Sequence, residues 1–205
     1  PARAVFEGSA PDANGCFTMD LRIYDATFNA FQFILWYDPA TVIPVDAGGK
    51  ETDDFSAFAT ERDNGWMATI GTSIDTEKHL IDFTGYVTPG KSVAVDAEPK
   101  TGVAIVGEGG LDLFSFRFKK VGEQPVVLKL AVKDSGTPWK EVLPTGGAVV
   151  ESGIAAPVTV EFKYADGSGS SGTVDVPQPG EPEPTADELL KAGIFLEIGG
   201  HAAVV

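Results

Sequence analysis

The sequence predicts an all-β fold, either a two-sheet antiparallel sandwich or a barrel. Three observations lead there. Apolar and polar residues alternate with a period of two in nine segments between residue 3 and residue 164. Aromatic and β-branched residues fill these segments, and Gly, Pro, Asn and Asp punctuate them. No helical periodicity intervenes, which removes the α/β and helix-bundle classes.

The elements follow in order. "RAVFEG" (3–8) and "CFTMDLRIYD" (16–25) are the first two strands, separated by the turn-forming "DANG" (12–15). The third, "AFQFILWYD" (30–38), places Phe31, Phe33, Leu35 and Tyr37 on one side and Ala30, Gln32, Ile34 and Trp36 on the other. The first set reads as core. The second puts two large apolar groups, Ile34 and Trp36, where a half-solvated strand carries polar ones. The stretch 46–64 is less regular and fits a flap, a short helix or an interrupted strand. "GWMATIGTSI" (65–74) and "HLIDFTGYV" (79–87) resume the alternation, the latter with Ile81 and Phe83 facing away from Asp82, Thr84 and Tyr86. "LDLFSFRFKKV" (111–121) is the clearest case, with Phe114, Phe116 and Phe118 inward and Leu113, Ser115, Arg117 and Lys119 outward. "PVVLKLAVKD" (125–134), "GGAVVESG" (146–153) and "PVTVEFKY" (157–164) complete the set.

Composition shifts at Asp166. Residues 1–165 are expected to form the sandwich and 166–184 ("DGSGSSG" leading to "VPQPGEPEP") a Gly/Ser/Pro-rich linker. In 185–205, Thr185 and Glu188 have capping-box spacing and Gly193 suits the left-handed position after a last helical turn, so a short helix is predicted over 185–193. Leu189, Leu190 and "IFLEI" (194–198) give this tail an apolar surface too small to be a core, so it is expected to dock on the sandwich or on a neighbouring copy.

Charge and residue counts exclude several functions. Thirty acidic residues against fifteen basic ones leave a formal charge of −15, which repels nucleic acid phosphates and anionic membranes. No apolar run approaches the ~18 residues of a membrane-spanning helix, so no membrane insertion is expected in this fragment. The single cysteine, Cys16, forms no internal disulfide and reads as a small buried hydrophobe. A nucleophile triad needs a histidine base, and His79 and His201 both lie outside any nucleophile motif. Zinc lacks its Cys and His ligands. "GEGG" (107–110) is not followed by the Lys-Ser/Thr of a phosphate loop. "DANG" and the adjacent Asp53 and Asp54 read as solvated turns rather than calcium loops, since no glutamate closes an EF-hand. The chain is therefore read as non-catalytic and without a cofactor of its own.

What is left is surface chemistry. If segments 30–38, 80–86 and 111–119 are neighbours, their outward residues form a flat patch with an apolar centre and a polar rim. That patch would hold Ala30, Gln32, Ile34, Trp36, Asp82, Thr84, Tyr86, Leu113, Ser115, Arg117 and Lys119. Protein-binding surfaces have this make-up, with Trp, Tyr and Arg as anchors. A carbohydrate-binding sandwich is the alternative, with Trp36 and Tyr86 as a stacking platform. Ile34 and Leu113 argue against it.

The run "NAFQFILWYDPATVIPVD" (29–46) resembles the signature of cohesins, the receptor modules of cellulosome scaffoldins. Phe31, Phe33, Leu35, Tyr37, Asp38, Pro39, Val42 and Val45 occupy the signature's places. "LDLFSFRFKKVG" (111–122) is similar to the family's sixth strand, "HLIDFTGYV" to its fifth, and "GGAVV" (146–150) to its Gly-Gly stretch. The long segments 46–78 and 88–110 look more like the type III cohesins of cell-surface anchoring scaffoldins. This resemblance implies a nine-stranded antiparallel jelly-roll sandwich with irregular insertions. It also implies dockerin binding on the sheet of strands 8, 3, 6 and 5, by the residues named above. Calcium is then expected in the dockerin partner and not in this module. The chain is expected to be extracellular, attached to a bacterial cell surface through other parts of its parent.

Overall fold

The computed structural model describes residues 2–54, 60–61, 67–69, 73–130, 158–174, 195–198 and 201–204. These residues form strands joined by turns, and no helix occurs among them. The helix expected over 185–193 and the strand over 146–153 lie outside the described residues, as do parts of 46–64 and 65–74.

Seven strands form the larger sheet. They are β1 (Ala2–Gly8), β2 (Cys16–Tyr24), β5 (Val42–Pro44), β6 (Thr60–Glu61), β12 (Leu111–Lys120), β14 (Val158–Lys163) and β15 (Gly169–Val174). Their order is β15-β14-β1-β2-β12-β5, with β6 also on β12. β1 and β14 run parallel, which pairs the start of the chain with residues 158–163; the other pairs are antiparallel.

The second sheet has five strands: β4 (Ala30–Tyr37), β7 (Met67–Thr69), β8 (Ser73–Asp75), β9 (Leu80–Val87) and β13 (Leu128–Leu130). Its order is β13-β4-β9-β7, with β8 also on β9. A small sheet of β10 (Val93–Val95), β11 (Ala104–Val106) and β3 (Ala26–Phe28) completes the body. The hairpin of β16 (Phe195–Ile198) and β17 (His201–Val204) approaches both large sheets: β16 lies against β4 and β13, and β17 against β15.

The core between the two large sheets is built largely of phenylalanine. Phe83 of β9 meets Phe114 and Phe116 of β12 at ring distances of 3.9 and 5.7 Å, and Phe6 of β1 meets Phe33 of β4 at 5.7 Å. Phe33, Phe83, Phe114 and Phe116 are inward residues that alternation predicts, Phe6 joins them, and burying these rings supplies the main drive for the sheets to stack. Cys16 is buried as expected. At the edge, Tyr164 ties the sheets together by accepting a hydrogen bond from the Leu128 amide at 3.2 Å.

Turn chemistry fixes the hairpins. The Asp12 carboxylate accepts from the amides of Asn14 and Cys16 (2.8 and 3.0 Å), and Gly15 takes a left-handed φ of 82°. "DANG" is thus a tight turn between β1 and β2. In the Tyr-Asp-Pro stretch, Asp38 accepts from the Ala40 amide at 3.0 Å, and buried Thr41 accepts from the Val127 amide at 3.0 Å. The motif holds β4, β5 and the approach to β13 in fixed relation.

Two expectations are corrected by the strand order. Segment 111–119 does not adjoin 30–38, because β12 lies between β2 and β5 in the larger sheet. Leu113 does not point outward either. A bulge between Asp112 and Phe114 shifts the register by one residue, and both Leu113 and Phe114 become buried, at 0% and 2% exposure. The stretch read as the start of a linker also contributes structure, since Gly169–Val174 pairs along all of β14. There the Asp166 carboxylate accepts from the Ser168 amide at 2.8 Å, and Gly167, at φ 86°, turns the chain back.

Candidate protein-binding face

Residues directly opposed in an antiparallel pair project to the same face. The outward face of the five-stranded sheet can therefore be read row by row from its register. Ala68, Tyr86 and Ala30 form one row, and Thr84 and Gln32 the next. Ser73, Asp82 and Ile34 form a third, and Asp75, Leu80, Trp36 and Lys129 a fourth. The expected site residues of β4 and β9 are thus brought together in one sheet.

They are not equally available. Trp36 and Tyr86 are half-buried, and β16 of the C-terminal hairpin lies against β4, the strand that carries Trp36. Ala30 is fully buried, its one-carbon side chain in the row of Tyr86. Asp82 is 5% exposed in the row of Ser73 and Ile34, so it lies below the contact surface. Ser115, Arg117 and Lys119 belong to the other sheet altogether. There Ser115 donates to Asp20 at 2.5 Å, and nearby Arg22 pairs with Asp112 at 2.8 Å while donating to the Gly109 carbonyl at 2.7 Å. Tyr24 receives Arg3 over its ring at 4.4 Å. Arg22 and Asp112 thus satisfy one another, while the buried Nε of Arg117 has no hydrogen-bond partner among the described residues.

The fourth row contributes three residues that sequence reasoning missed: Asp75, Leu80 and Lys129, all half-buried. Leu80 shares the strand parity of Asp82, Thr84 and Tyr86, so alternation alone could have found it. Asp75 and Lys129 required the pairing partners of β9 and β4. Asp75 is held below the usual carboxylate range chiefly by the Lys78 amide, and also by the Glu77 amide, which donate to it at 2.9 and 3.0 Å. Its charge is therefore present at neutral pH.

The register also bears on a sugar platform. Tyr86 stands opposite Ala30, six residues along β4 from Trp36. At about 3.3 Å per residue the two positions lie roughly 20 Å apart along the sheet. The rows of Gln32 with Thr84 and Ile34 with Asp82 separate them, so they make no continuous aromatic surface. Among the described residues no group of three or more His, Cys, Asp or Glu side chains converges on a possible metal position.

No family model matches the chain, and no curated protein matches it. Solved structures do. The type II cohesin dyad from the adaptor ScaA scaffoldin of Acetivibrio cellulolyticus matches at 15% identity with a TM-score of 0.50, covering 83% of this chain and 48% of that one. The second type II cohesin module of the same scaffoldin, with its long C-terminal linker, gives 12% identity and a TM-score of 0.47, covering 66% and 73%. The third cohesin of ScaC from that organism, in complex with the ScaB dockerin, gives 11% identity and a TM-score of 0.37, covering 67% and 88%. This chain thus spans about half the length of the dyad. At such identity the likeness is one of fold: over 83% of its length the chain shares the architecture of the type II cohesin dyad.

Proposed function

We propose that this chain is a non-catalytic cohesin module that binds a dockerin through the outward face of the five-stranded sheet. The observation that carries the reading is the half-buried indole of Trp36, in one row with half-buried Leu80, on the outward face of the strand that bears the cohesin-like signature. A partner covering that row removes apolar surface from water at about 25 cal/mol per Å². The fold shared with the type II cohesin dyad supports the same assignment. The site then comprises Gln32, Ile34, Trp36, Thr84 and Tyr86 together with Leu80. Ser115, Arg117 and Lys119 are left out because they belong to the opposite sheet, and Leu113 because it is buried there.

The finer features belong to the same proposal. The parent is an extracellular scaffoldin that assembles cellulosome components or holds them at a cell surface. The frame is the nine-stranded jelly roll of the family, with insertions that favour a type III-like specificity. Calcium resides in the dockerin. The roughly 20 Å of sheet between the positions of Trp36 and Tyr86 disfavours the carbohydrate-binding alternative.

The test is calorimetric titration of calcium-loaded type I, type II and type III dockerin modules into the full chain and into Trp36→Ala. Truncating a buried interface tryptophan costs about 2–4 kcal/mol, or roughly thirty- to a thousandfold in affinity. An unchanged affinity moves the site off this face. Failure of every dockerin to bind the unsubstituted chain, with retention on cellulose instead, overturns the assignment.

A further inference from the structure

The row through Trp36 is electrically polarised. From one side of the sheet to the other it runs Lys129 on β13, Trp36 on β4, Leu80 on β9 and Asp75 on β8. Both ends are charged and the middle is apolar, and all four residues are half-buried. The remaining rows differ: one holds the buried Asp82, and the other two pair Thr84 with Gln32 and Tyr86 with Ala30 and Ala68. On the turn between β8 and β9, exposed Glu77 adds negative charge beside Asp75 and exposed Lys78 partly offsets it.

We infer that Lys129 and Asp75 act as a two-ended clamp that sets the direction in which a partner helix crosses this face. This rests on the reading of the face as the partner site. Three steps between adjacent strands separate the ends, about 14 Å at 4.7–4.9 Å per step. A helix rises 1.5 Å per residue, so that span corresponds to roughly nine or ten residues. The helix that fits carries an acidic residue over Lys129, a basic one over Asp75, and apolar residues between them on Trp36 and Leu80. Its positive N-terminal end lies toward Asp75 and its negative C-terminal end toward Lys129, so the dipole favours the same orientation as the side chains. Turned end for end, the helix sets like charges against each other at both ends. Such repulsion discriminates between partners and orientations more than it adds affinity.

The experiment uses whichever calcium-loaded dockerin the full chain binds, and measures association rate and affinity across a range of salt. The variants are Lys129→Glu, Lys129→Met, Asp75→Lys, Asp75→Asn and Trp36→Ala. Asp75→Asn keeps an oxygen to cap the turn amides, so it separates loss of charge from a loosened turn. Each neutralisation is expected to weaken binding about threefold and each reversal roughly ten- to a hundredfold, mostly through slower association that converges with the unsubstituted chain at high salt. If Trp36→Ala abolishes binding while all four charge variants stay within about twofold at low salt, the clamp is overturned and the binding face stands. If Trp36→Ala is also silent, the face itself is wrong.

Discussion

Gly85 offers a sharp test of how the candidate face is packed onto the core. It sits in β9 directly opposite Phe31 of β4, on the core side of the sheet. A methyl group added at Gly85 would lie 2.6 Å from Phe31 Cζ and 3.0 and 3.2 Å from its two Cε atoms. The ring has little room to give. It packs edge-on to Phe28 at 5.6 Å and against Phe83 and Phe33 at 5.3 and 6.0 Å, and all four rings are at most 1% exposed. Overpacking of this kind costs about 1–3 kcal/mol, against which replacing a strand glycine returns about 0.5–1 kcal/mol. Gly85→Ala is therefore expected to lose a net ~1–2 kcal/mol, lowering Tm by about 2–8 °C for a chain of this size.

Gly8→Ala in β1 is the control. There the new methyl meets Met19 and the Lys163 carbonyl at ordinary contact distances of 3.6–3.7 Å, so stability should hold or rise. Phe31→Leu is the rescue, because shortening the ring makes room. In the Gly85→Ala background it should cost at least ~0.5 kcal/mol less than it does alone. Thermal and denaturant unfolding of the parent and the four variants measures these differences. A Gly85→Ala protein as stable as the parent, or a rescue with no coupling, would refute the packing argument.

Two more predictions concern tyrosines. Tyr37 is fully buried, and its hydroxyl finds no hydrogen-bond partner among the described residues. Burial, reinforced by the charges of Glu51 and Asp75, pushes its ionisation well above the ordinary tyrosine range. An unmade buried hydrogen bond costs about 1–3 kcal/mol, so Tyr37→Phe should hold or gain stability by up to that amount; a loss above about 0.5 kcal/mol in denaturant unfolding would reveal a partner. Tyr164 is pushed up to about 12 by burial, partly opposed by the bond from the Leu128 amide. The neutral phenol is the form the fold favours, so its contribution is complete below pH ~10, where the unfolded chain's tyrosines ionise, and is lost as pH rises toward 12. Absorbance titration should find Tyr164 ionising late, coincident with falling stability. Ionisation near pH 10 in the native protein, assigned by comparison with Tyr164→Phe, would contradict the burial described here.

The strands themselves were legible because alternation is a local property. Phe31, Phe33, Leu35 and Tyr37 had to share a face whatever lay beside them, and all four are in the core. The same holds for Phe114, Phe116 and Phe118. Short strands such as β3, β5, β10 and β11 were missed, since three residues are too few to display a period. "GSGSSG" read as flexible because it has nothing to bury, yet at a sheet edge backbone hydrogen bonding to β14 is enough to order residues 169–174.

Local alternation was enough to imply a stack of sheets around a phenylalanine core, with Trp36 on the opposite side of its strand from that core. Long-range strand pairing in the folded molecule settled which strands share a sheet. It moved Ser115, Arg117 and Lys119 to the far side of the molecule and brought Asp75, Leu80 and Lys129 into line with Trp36. A side chain's face follows from its own strand, but its neighbours follow from pairings between residues distant in the chain. A single bulge, as at Leu113, reverses even the first.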